Sequence, residues 1–170
     1  VNVAIEQGLA AANRIIPIID LENEIESNDN SKALEWVKGD IVFESVDFSY
    51  KANLEKKVLK DISISFAGGK MTALVGHSGS GKSTLLNMIP RIYAPNKGNI
   101  RLDGQDISKI NLDSLRKEIS IVDQNTTLFD DTIFNNIKYA RPDANDNEIF
   151  EASELAMCKD FVDNLENGYQ

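Results

Sequence analysis

The sequence predicts an α/β fold with a β-rich start, a strand–loop–helix unit in the middle and helices at the end. Three observations predict it. Apolar residues recur at alternate positions between Ile41 and Phe66, and Gly68-Gly69 then breaks the pattern, as in strands followed by a turn. A short apolar run, Met71–Val75, leads into the glycine-rich segment Gly76–Ser83. Thr84–Ile89, which follows, has an apolar face at helical spacing. Beyond residue 124 the strand patterns give way to helical ones.

Taken in order, residues 1 to about 19 of a first segment, 1–20, are expected to form a helix with Val3, Leu9, Ala10, Ala12 and Ile16 as apolar positions, and Pro17 is expected to limit it. Residues 21–38 turn acidic and polar and read as an exposed linker, so a domain is expected from Gly39 to the end, 39–170. Ile41–Tyr50 is a strand with Val46, Phe48 and Tyr50 on one face, and Lys51–Lys57 is a charged turn. Leu59, Ile62, Ile64 and Phe66 mark a second strand. Met71–Val75 reads as a buried parallel strand, and Pro90 stops the helix that begins at Thr84. Asn99–Gly104 ends in Asp-Gly, a hairpin signal. Leu112–Glu118 is a short helical turn and Ile119–Val122 another buried strand, running to Gln124. Helices follow over Asp131–Ile137, Asp146–Met157 and Asp160–Leu165, with Asn145 or Asp146 as a cap for the second. There are no internal repeats.

The 170 residues suffice for one ordinary domain, and 42% hydrophobic with 26% charged residues is the balance of a soluble globular chain. A net charge of −9 argues against a nucleic-acid partner, which needs clustered Lys and Arg. Cys158 is the single cysteine, so no intramolecular disulfide framework exists. The single histidine, His77, has no visible catalytic partner. No stretch is long and apolar enough to span a bilayer. The chain does not begin with Met and stops without a closing element, so it reads as a truncated piece of something larger.

The chemistry lies in Gly76–Ser83, which fits G-x-x-x-x-G-K-[ST]. Glycines let the backbone curl so that several N–H groups face one anion. Lys82 brings a charge to the β- and γ-phosphates, and Ser83 brings a hydroxyl to Mg²⁺. A flexible Gly/Ser linker is the competing reading, but it needs no apolar strand directly before it. The fold class is therefore a P-loop NTPase (RecA-like) core with an antiparallel β subdomain beside it, followed from about residue 125 by the start of an α-helical subdomain.

Tyr50, the loop and Gln124, in that order, resemble the nucleotide-binding domain of an ABC (ATP-binding-cassette) transporter. The likeness is to the exporter type, and within it to the bacterial lipid A flippase group. Residues 3–14 resemble the cytoplasmic end of the last transmembrane helix. The resemblance implies that Tyr50 stacks on adenine and that Gly76, Ser78, Gly79, Ser80, Gly81, Lys82 and Thr84 hold the phosphates. It implies that Ser83 and Gln124 reach Mg²⁺, with Gln124 and Lys82 serving catalysis. Leu128 and Phe129 would receive a coupling helix of the transmembrane domain. A second nucleotide-binding domain, in a homo- or heterodimer, would be the other partner, and the location would be the cytoplasmic face of the inner membrane. Asp123 stands where the family has a small residue or proline, and Ala94 where it often has Asp; both bear on coupling. The LSGGQ signature, the Walker B carboxylate, the catalytic glutamate and the switch histidine are not in these residues. The nearest candidate for the Walker B strand, Ile119–Asp123, precedes Gln124 and matches the glutamine loop better. The resemblance thus implies an ATP-driven translocase as the parent and an ATP-binding piece that is inactive alone. A soluble ABC-type ATPase and a non-catalytic nucleotide-binding module are the alternatives.

Overall fold

The computed structural model describes residues 2–20, 32–35, 37–52, 55–123 and 125–170, with side chains at helix residues 2–5 left aside. The chain divides into two compact units, Val1–Ser120 and Ile121–Gln170.

The first unit is built on a four-stranded antiparallel sheet. Its strands are β1 (Ile41–Phe48), β2 (Leu59–Phe66), β3 (Lys97–Leu102) and β4 (Gln105–Asp106), in the order β2-β1-β3-β4. β1 needs a correction of register to bury what it carries. Strict alternation would send Phe43 and Val46 to opposite faces, yet both are buried. Ser45 takes φ 48°, and β1 advances from Glu44 to Asp47 while β3 advances only from Asn99 to Lys97. The extra residue is a β-bulge, and it returns Val46 and Phe48 to the core side. Gly98 sits opposite with φ 84°, and a Cβ there would run into the carbonyls of Ser45 and Glu44. β3 and β4 are joined at Asp103-Gly104, with φ 48° and 77°, the two positive values that a tight hairpin turn requires.

Helix α2 (Lys82–Met88) covers the sheet with Leu85 and Met88, and a 3₁₀ turn (Ile107–Lys109) and α3 (Leu112–Lys117) add Ile107, Ile110 and Leu115 to the same core. Asn111 caps α3, its side chain accepting from the Ser114 amide. Residues 32–35 and 37–40 belong to this unit. Lys32 pairs with Ile110, the Leu34 amide donates to Ser114 Oγ, and the amides of Lys38, Gly39 and Asp40 all donate to the Asp103 carboxylate.

Helix α1 spans Asn2–Ile19, as far as expected, and takes Pro17 into its last turn. Proline near the last turn removes one hydrogen bond, and the Asp20 amide still reaches the Ile16 carbonyl at 2.9 Å. Leu9, Ile15, Ile16, Ile18 and Ile19 are exposed, and no helix among the described residues is long and apolar enough to cross a membrane.

Two expected strands are not strands. Met71–Val75 and Ile119–Val122 have no ladder partner among the described residues, and Met71, Val75 and Val122 are almost fully exposed. An apolar run becomes a strand only when a neighbour satisfies its backbone, and none of the described residues does so here.

The second unit holds α4 (Ile133–Lys138), α5 (Asp146–Leu155) and α6 (Lys159–Val162), the last shorter than expected. Thr132 caps α4 through the Asn135 amide. Of the two candidates for α5, Asn145 is the cap, in a reciprocal box with Glu148. Asn136 pins the turn before α4, accepting from the Phe129 amide and donating to the Phe129, Asp131 and Thr132 carbonyls.

Candidate functional site

The glycine-rich segment folds as a loop that closes on itself. The Ser80 amide donates to the His77 carbonyl, and Gly79 and Gly81 take φ 78° and 88°. Gly81 caps α2, and a Cβ on it would stand 2.7 Å from Leu59 Cδ2. The helix therefore starts at Lys82, inside the motif and two residues earlier than expected. Lys82 Nζ turns back into the loop, donating to the Gly76 carbonyl at 2.9 Å, the His77 carbonyl at 2.8 Å and Ser80 Oγ at 3.3 Å. These neutral acceptors hold the ammonium inside the loop.

In front of the loop is an open cleft of about 500 Å³, lined by Tyr50, Lys56, Lys57, Val58 and residues 78–84. Its described lining has three lysines and no carboxylate, although the whole chain carries −9. Lys57 is tied to Asp47, 2.7 Å away, at the cleft's rim. A local excess of positive charge in an acidic protein marks a place for an anion.

Tyr50 stands at one end, 38% exposed. Its hydroxyl lies 2.7 Å from Thr84 Oγ1, in the first turn of α2, and Thr84 is buried. Phe48 and Tyr93 meet its ring nearly at right angles, at 5.0 and 5.3 Å. The structure thus places Tyr50, Ser78, Gly79, Ser80, Gly81, Lys82, Ser83 and Thr84 around one cleft, with Gly76 behind the loop as an acceptor for Lys82. Gln124 lies outside the described residues. His77 contributes its backbone carbonyl to Lys82. Leu128 and Phe129 are exposed in the second unit, where Phe129 packs on Tyr139.

An adenine nucleotide fits the cleft's chemistry, with an exposed ring at one end and amides with an ammonium at the other. Mg²⁺ fits only in part. The exposed Ser83 hydroxyl is a hard oxygen donor, and no described group of three His, Cys, Asp or Glu could hold a metal by itself. A Mg²⁺ ion here would therefore come with phosphate oxygens and water.

Sequence reasoning missed Lys56, Lys57 and Val58 as lining and Tyr93 as a neighbour of Tyr50. Lys51–Lys57 reads as a charged turn, and only the fold carries it to the loop.

Residues 59–167 match the family model described as ABC transporter. The chain is 42% identical over 168 residues to an ATP-dependent lipid A-core flippase of Legionella pneumophila (strain Paris), covering 99% of this chain and 28% of that protein. It is 40% identical over 167 residues to ABC transporter B family member 13 of Arabidopsis thaliana, covering 98% of this chain and 13% of the relative. A solved bacterial Atm1-family ABC exporter with ATP bound superimposes with a TM-score of 0.84 at 37% identity, over 98% of this chain and 29% of the exporter. The chain thus spans less than a third of the length of each of these relatives.

Proposed function

Because the chain belongs to the ABC transporter family, we propose that it is the ATP-binding portion of an ABC exporter that couples ATP binding and hydrolysis to the transport of a lipid or other hydrophobic substrate. The observation that carries this reading is the cleft, where Lys82, held on its own loop's carbonyls, faces a lining without carboxylates among the described residues, beside the tethered Tyr50. The exposed Tyr50 ring takes the adenine. The loop amides and Lys82 take the β- and γ-phosphates, with Lys82 exchanging carbonyl oxygens for phosphate oxygens. Ser83, with Gln124, provides oxygen ligands for Mg²⁺, which when bound neutralises phosphate charge.

Residues 1–20 form the end of the last transmembrane-domain helix; their exposed isoleucines support this reading. Residues 21–38 join them to the nucleotide-binding domain, residues 39–170. The domain lies at the cytoplasmic face of the inner membrane. It works with a second nucleotide-binding domain and with coupling helices that meet Leu128 and Phe129. Calorimetric titration with Mg-ATP tests the reading. Saturable binding, with inorganic tripolyphosphate bound more weakly, is expected. Absence of ATP binding, or equal affinity for both ligands, would overturn it.

A further inference from the structure

Tyr50 lies beyond the end of β1, so no ladder fixes its position and side-chain contacts must orient its ring. The structure supplies three. Thr84 Oγ1 holds the hydroxyl at 2.7 Å, Phe48 packs at 5.0 Å and Tyr93 at 5.3 Å with the rings 88° apart. Tyr93 is itself anchored. Its amide and that of Ile92 reach the Asn87 carbonyl at the end of α2, and its ring packs on Phe48 at 5.5 Å.

Tyr50 also separates two clefts. One is the phosphate-loop cleft; the other, of about 610 Å³, is lined by Phe48, Tyr50, Arg91, Tyr93 and Asn96 among others. Tyr93 lines only the second. It packs on the Tyr50 ring from the side of the second cleft and fills space into which that ring could otherwise fall back. Without the brace only the Thr84 and Phe48 contacts hold the ring against a change of side-chain well.

We propose that Tyr93 is a positioning residue for base recognition. It holds the Tyr50 ring upright against the phosphate-loop cleft, while Thr84 keys the ring to the helix that follows the loop. The inference rests on the nucleotide reading of that cleft. An aromatic contact of this kind shifts an equilibrium by about three- to tenfold.

The test is calorimetry on the intact protein with Mg-ATP and with Mg-tripolyphosphate, which has no base. Tyr93→Leu is expected to weaken ATP about three- to tenfold and leave tripolyphosphate unchanged, and Tyr93→Phe to restore ATP binding. Combined with Tyr50→Leu, Tyr93→Leu should add nothing to the loss from Tyr50→Leu alone. Unchanged ATP binding in Tyr93→Leu overturns the proposal, as does equal weakening of both ligands or full additivity with Tyr50→Leu. Failure of the unmutated protein to bind ATP would instead remove the nucleotide reading and this inference with it.

Discussion

Replacing Lys82 by alanine removes the one ammonium held inside the loop, and the geometry sets the size of the effect. In the nucleotide-free loop Nζ is shared among the Gly76 and His77 carbonyls and Ser80 Oγ. Meeting a phosphate at about 4 Å, in a partly screened site with an effective dielectric near 20, is worth about 4 kcal/mol. The ammonium has three donors, so turning one of them from a carbonyl to the phosphate costs about 2 kcal/mol while the others stay in place. The remaining ~2 kcal/mol corresponds to about thirtyfold weaker Mg-ATP binding in Lys82→Ala. Calorimetry measures it directly, with Lys82→Met as the control that keeps the stem and loses only the charge. Both variants should lose ATP and tripolyphosphate alike, because the lost charge faces phosphate. Unchanged affinity, or a loss confined to ATP, would refute this account of the loop.

Three further outcomes are expected. Gly81→Ala forces a side chain into φ 88° and to within 2.7 Å of the buried Leu59, so it should cost about 2 kcal/mol or more in a urea melt and abolish tight ATP binding. The Asp103 carboxyl is disfavoured as an anion by burial, but the Gly39, Asp40 and Lys38 amides outweigh this and lower its pKa; the Gly68 amide, then Lys38, lower that of Asp40. Groups so depressed contribute fully above the unfolded value of about 3.9, and the contribution is lost as pH falls through their folded values below it. The urea midpoint should therefore drop on acidification through that window, and Asp103→Asn should lower the midpoint at neutral pH and flatten the drop. Asn145→Ala removes the reciprocal cap of α5 and should destabilise the second unit by about 1 kcal/mol, read as faster amide exchange in α5.

The features legible in the sequence are those made by neighbours along the chain. The phosphate loop is eight consecutive residues whose glycines and lysine act on one another, so its presence needs no fold to be recognised. The Asp103-Gly104 turn and the Asn145 cap are equally local, since each is settled within three or four residues. The sequence also marked Tyr50 and Thr84 separately. It could not show that their hydroxyls meet across 34 positions or that Tyr93 braces the ring, because those contacts exist only once β1 and α2 are packed. Nor could it reveal the bulge at Ser45, which depends on Gly98 of the paired strand. Met71–Val75 and Ile119–Val122 show the same division from the other side. Their apolar runs satisfy the sequence pattern of buried strands, but hydrogen bonding in a sheet requires a second chain segment, which periodicity along one segment cannot specify.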